Sequence, residues 1–122
     1  MVIIIMNGEI FNYQSLRNKL SKDGESFKTN SDTEVLLKLY IKHGKKCIEM
    51  IDGMFAFCII DHRSNSAWLA RDRSGIKPLY YLIDSNGIYF ASEIKSILDI
   101  LPYRAKKNIN RSINYLLTGI YA

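Results

Sequence analysis

The sequence predicts a layered α+β domain, on three observations. Two helical patterns, each stopping at a glycine, precede an apolar run, Met54–Ile60, that is hydrophobic on both alternating faces. The strands after it are joined by short links, which favours an antiparallel meander. Helical stretches then close the chain, so strands and helices are grouped rather than strictly alternating.

Val2–Met6 is a β-branched apolar run and predicts the first strand. From Asn12, positioned as a cap, a helical stripe carries Tyr13, Leu16 and Leu20, with Arg17, Asn18 and Lys22 outside it; Gly24 ends it. After the short segment Ser26–Thr29, Ser31-Asp32-Thr33-Glu34 reads as a capping box opening a second helix, which carries Val35, Leu36, Leu39, Tyr40 and His43 and stops at Gly44. Met54–Ile60 is a strand that must be covered on both sides. Asp61–Ser66 is a turn-rich link, Ala67–Ala70 a strand, and Pro78–Asp84 and Gly87–Ala91 two more, joined at Ser85-Asn86-Gly87. Glu93–Leu98 and Arg111–Leu117 are closing helices. A sheet buried on both faces needs a second apolar layer, and beyond Val2–Met6 the sequence supplies few strands for one.

At 122 residues and 48% hydrophobic content, the chain is sized for one domain with its own core. Two cysteines, Cys47 and Cys58, make no disulfide scaffold, and with His43 and His62 they lack zinc spacing. The expected compartment is the reducing cytoplasm. The net charge of +5 is mild. Its one dense cluster, Arg104–Lys107 with Arg111 beyond, reads as solvated surface, so no nucleic-acid partner is expected. The longest apolar runs are far below the roughly 20 residues a membrane span needs, and Met1–Met6 has no targeting signature. No membrane partner is expected either.

Three segments can carry chemistry. Asn7-Gly8-Glu9 reads as a turn after a strand. The turn is the favoured reading of the dipeptide alone; the other is an oxyanion site, with an Asn amide beside a backbone N–H that Gly leaves accessible. Asp32 suits the positive end of a helix, or a ligand's ammonium group. In Arg71-Asp72-Arg73-Ser74-Gly75-Ile76-Lys77-Pro78 the basic residues suit phosphate, but an internal network pairing Asp72 with a neighbouring arginine is favoured. Cys58, mid-strand between Phe57 and Ile59, is an inert thiol, and Cys47 has no activating neighbour in sequence.

Taken in order, Asn7-Gly8-Glu9-Ile10-Phe11-Asn12-Tyr13, Ser31-Asp32-Thr33-Glu34, Asp52-Gly53-Met54-Phe55-Ala56-Phe57, Arg71 through Tyr81, and Ala91-Ser92-Glu93-Ile94-Lys95 resemble the class II glutamine amidotransferase (glutaminase) domain of glutamine-hydrolysing asparagine synthetases, over nearly the whole chain. The resemblance implies an N-terminal-nucleophile fold, an αββα sandwich of two antiparallel sheets between helices, with residues 1–122 a partial domain lacking its first strands. It implies an oxyanion hole from the Asn7 side chain and the Gly8 N–H, and binding of glutamine by Glu9 and Asp32, Asp32 through the α-amino group. The family nucleophile is an N-terminal cysteine, whereas Val2 follows Met1 here. The arginine that pairs with glutamine's carboxylate and the synthetase domain, to which ATP and magnesium belong, lie outside this sequence. The expectation is therefore a truncated amidotransferase domain, inactive alone, with no cofactor and with weak glutamine binding or none. The alternative is a non-catalytic module that binds a small molecule or protein and self-associates, as a homodimer, through exposed sheet surface.

Overall fold

The structure is a computed structural model and describes residues 1–118 of the domain expected over 1–122. Strand β1 spans Val2–Ile10, helix α1 Tyr13–Lys22 and helix α2 Asp32–His43, followed by a short 3-10 helix, Gly44–Glu49. Strands β2 (Gly53–Asp61) and β3 (Ser66–Arg71) come next, then the hairpin β4 (Tyr80–Asp84) and β5 (Gly87–Ala91), helix α3 (Ile94–Ile100) and helix α4 (Ile109–Thr118).

Among the described residues all pairing is antiparallel, in two sheets: β1-β2-β3, and β4-β5. The single meander expected from short connections is therefore divided after β3. The reason lies at Asp72. Its N–H donates to the Phe55 carbonyl at 2.8 Å, and its carboxylate accepts the N–H groups of Phe55, Ile76 and Lys77. These bonds curl residues 72–77 into a compact loop, and β4 starts a new sheet. The second layer is thus β4-β5, and Val2–Met6 belongs to the first sheet beside β2.

The core sits between α1/α2 and one face of the first sheet. Leu16, Leu20, Val35, Leu36, Leu39 and Tyr40 pack with Ile10, Phe55, Phe57 and Ile59. Burying such side chains contributes about 1.5–3 kcal/mol each before entropy is subtracted. On the other face of β2, Ala56 and Cys58 are also buried. There they share a cavity of about 170 Å³ with Phe90 and Ala91 of the second sheet. The strand predicted to be covered twice is covered twice. Helix α3 lies against β4 and β5 from outside, completing an α-β-β-α layering.

At the far end of the sheet, buried Asp61 accepts from the Tyr40 hydroxyl at 3.1 Å and pairs with Arg63 at 2.7 Å, while Tyr40 stacks on Trp68. The Arg63 guanidinium holds the Asp61 carboxyl far below the usual carboxylate range. Burial pushes the Tyr40 phenol up.

Candidate functional site

Strand β1 is longer than the sequence suggested, because Asn7 and Gly8 make no turn. They continue the ladder, Asn7 opposite Ala56 and Gly8 opposite Phe55. Gly8 has φ +142°, and a Cβ there would lie 2.1 Å from the Met54 carbonyl oxygen. Across the strands, a Cβ on Gly53 would lie 2.2 Å from the Glu9 carbonyl oxygen. The glycines let two backbones approach more closely than side chains allow. That tertiary requirement overrides the local turn preference of Asn-Gly.

The register fixes where the Gly8 N–H points. Bonds from His62 N–H to the Met1 carbonyl and from Phe11 N–H to the Asp52 carbonyl mark the odd-numbered residues of β1 as hydrogen-bonded to β2. In an antiparallel pair the intervening residues turn their N–H groups away from the partner. Gly8 is one of these, and among the described residues β1 is at the end of its sheet, so its N–H faces the outer side of the strand. Two residues on, the outward N–H of Ile10 is taken at 2.9 Å by the Asp32 carboxylate.

Asp32 begins α2. Its other oxygen accepts the Thr33 N–H at 2.7 Å, so the carboxylate joins a helix start to a strand edge. Ser31 caps the helix by accepting the Glu34 N–H at 3.2 Å. The other half of the expected capping box is replaced. Glu34 instead accepts the N–H groups of Lys28 and Thr29 and the Thr29 hydroxyl. The Thr29 hydroxyl, then those backbone groups, bring the Glu34 carboxyl down to about 2. Asn12 stands before α1 but makes no side-chain cap. Its amide bridges the Met50 carbonyl and the Asp52 N–H, fixing the loop that enters β2.

Gly8, Glu9 and Asp32 line one open concavity of about 340 Å³, together with Tyr13, Asn30 and Ser31. Asn7 is in the neighbouring inter-sheet cavity instead. There its Nδ2 donates to Ser92 Oγ at 3.2 Å. The structure therefore brings three of the four predicted site residues into one concavity and places the fourth in an adjoining one. Tyr13, Asn30 and Ser92 are additions. Tyr13 and Ser92 stand within the motif segments, but nothing in the sequence assigned them a place; Asn30 carried no signal.

The charged loop behaves as a structural network with different partners from those expected. Among the described residues no arginine pairs with Asp72. Backbone N–H groups, Ile76's first, hold its carboxyl below the usual range. Arg71 donates instead to the carbonyls of Gly75 and Lys77. Cys47 and Cys58 are both buried, and burial pushes the Cys47 thiol up to about 11 and the Cys58 thiol upward too. Among the described residues, no group of histidine, cysteine and acidic side chains is placed to hold a metal ion. No helix among them is long and apolar enough to cross a membrane.

Residues 1–121 match the sequence model of the glutamine amidotransferase domain. A putative glutamine-hydrolysing asparagine synthetase 2 of Methanocaldococcus jannaschii is 46% identical over 110 residues, covering 90% of this chain and 21% of that protein. Glutamine-hydrolysing asparagine synthetase 2 of Arabidopsis thaliana is 46% identical over 99 residues, covering 80% of this chain and 17% of that protein. Among solved structures, the glutamine phosphoribosylpyrophosphate amidotransferase of B. subtilis, in complex with ADP and GMP, superposes with a TM-score of 0.69 at 29% identity, covering 79% of this chain and 22% of that one. The chain thus spans about a fifth of the length of these proteins.

Proposed function

This chain belongs to the glutamine amidotransferase domain family, and on that premise we propose that it forms the substrate-binding part of a glutaminase site of the asparagine-synthetase type. The observation that carries this reading is the Gly8 N–H, turned away from β2 beside the concavity that Glu9 and Asp32 line. A backbone donor held on a rigid strand can stabilise charge developing on a carbonyl oxygen without reorganising. The Asn7 amide has two N–H groups, and only one is used by Ser92. The other is the second oxyanion donor. Glu9 and Asp32 supply negative charge for the ammonium of glutamine, Asp32 with the acceptor capacity left over from Ile10 and Thr33.

Residues 1–122 alone provide no attacking thiol, since both cysteines are buried with raised pKa values. The isolated chain should therefore bind glutamine weakly, at millimolar concentration, and release no ammonia from it. Its free thiols suit a cytoplasmic setting. No cofactor enters this reading. The test is a glutamine titration of the labelled chain followed by amide NMR, alongside an ammonia assay. Shifts centred on Gly8, Glu9, Asp32 and Thr33, with ammonia at background, are expected. Shifts centred elsewhere, micromolar affinity, or ammonia release from the chain alone would overturn it.

A further inference from the structure

The second sheet brings one polar side chain to the Asn7 carboxamide, and we infer that this residue, Ser92, is the positioning residue that aims it. Ser92 follows Ala91, the last residue of β5, whose pairing with Tyr80 fixes where the strand ends. It stands two residues before the start of α3, so the chain is held on either side of it. From there Oγ accepts from Asn7 Nδ2 at 3.2 Å, at the inter-sheet cavity that both residues line. The bond ties together the two layers through residues 85 positions apart in sequence.

Asn7 needs such a partner because its backbone is fixed and its side-chain end is not. The ladder holds the residue opposite Ala56, but the terminal χ2 torsion of an asparagine is broad and roughly two-fold. A half turn exchanges Oδ1 for Nδ2. One end donates and the other only accepts. On the glutaminase reading, which this role presupposes, the turned state would set an oxygen against the charge that the site has to stabilise. Ile5, Ala56, Phe57 and Phe90, which share the cavity with Asn7, offer neither end a polar partner. Among the described residues lining it, Ser92 is the one side chain other than Asn7 that carries an oxygen. Its hydroxyl takes one Nδ2 hydrogen and leaves the second for the substrate carbonyl. Both side chains are at the surface, so water competes, and the hold biases the carboxamide by about fivefold rather than locking it.

Exchange of the Asn7 carboxamide protons with water, followed by NMR on the labelled chain without ligand, reads the hold. The signal is assigned by its absence in Asn7→Asp. Ser92→Ala should speed exchange of one Nδ2 proton by roughly fivefold, and Ser92→Thr, which keeps the hydroxyl, should restore the slower rate. The backbone amide signals of Ile10 and Thr33 should stay in place in both variants, as the mark of an intact fold. Glutamine at millimolar concentration should then shift the Asn7 signal in the unmodified chain and in Ser92→Thr. In Ser92→Ala that shift should be severalfold smaller, with the shifts at Asp32 and Thr33 retained. A merely structural tie would move all of them together. Equal exchange rates in Ser92→Ala and the unmodified chain would overturn the inference; they are what a Ser92 hydroxyl donating to Oδ1 would give. So would an Asn7 shift that survives Ser92→Ala in full, or glutamine shifts at Asp32 and Thr33 that leave Asn7 unmoved in the unmodified chain. No glutamine shift anywhere would overturn the glutaminase reading and this role with it, while the ligand-free rates still show whether the contact itself failed.

Discussion

The close approach of β1 and β2 separates two costs that usually arrive together, and three glycines measure them. A Cβ at Gly24 would meet nothing within 4 Å, but φ there is +91°, so Gly24→Ala carries backbone strain alone. Gly53 has no positive φ, but its Cβ would lie 2.2 Å from the Glu9 carbonyl, so Gly53→Ala carries the clash alone. Gly8 has both, with φ +142° and a Cβ 2.1 Å from the Met54 carbonyl and 2.7 Å from the Phe55 Cα. Strain at a sparsely populated φ costs about 1–3 kcal/mol, and forcing extra volume into a packed contact about 1–3 kcal/mol. Gly8→Ala should therefore destabilise by about 2–6 kcal/mol, a large share of the 5–15 kcal/mol typical of a domain. Urea unfolding followed by circular dichroism reads it. At a slope of about 2 kcal/mol per molar urea, the Gly8→Ala midpoint should fall by roughly 1–3 M, and the other two by about half that. A Gly8→Ala midpoint no lower than that of Gly24→Ala would refute the claim that strand contact, rather than local conformation, demands glycine there.

Three further outcomes follow from the bonds described. Ser31→Ala removes the acceptor for the Glu34 N–H and should cost about 1 kcal/mol, read as a lower urea midpoint with unchanged slope. Glu34 has a folded pKa of about 2 against an ordinary 4.5. Its stabilisation is complete above the ordinary value and is lost as pH falls toward 2, so Glu34→Gln should flatten the stability profile across that interval. An unchanged profile would remove Glu34 from the acid transition. Both thiols should resist a maleimide at neutral pH in native buffer and react together once urea unfolds the chain, since burial disfavours each thiolate.

Much of this was legible in the residues. The two-sided apolarity of Met54–Ile60 required two flanking layers, and both are present. Ser31 through Glu34 marked the start of α2 correctly, because a side chain reaching its own helix is a local event. What could not be read were bonds to backbone groups remote in sequence. Asn12 carries the pattern of a cap but serves Met50 and Asp52. Asp72, flanked by arginines, is satisfied by amides. Asn7-Gly8 has the composition of a turn, and pairing with Ala56 and Phe55, at a close approach to Met54, keeps it extended. The grouping of Gly8, Glu9 and Asp32 depends on the Ile10–Asp32 bond between elements 22 residues apart, and composition does not announce such a contact. The division into two sheets has the same origin, in the amides gathered by Asp72.

The Asp32 carboxylate ties a strand edge to a helix start, and in the proposed reading the lone pairs those two bonds leave over would meet the ammonium of glutamine. On that reading a bound cation would share the carboxylate with the amides of Ile10 and Thr33, and amide exchange at Ile10 would report its presence.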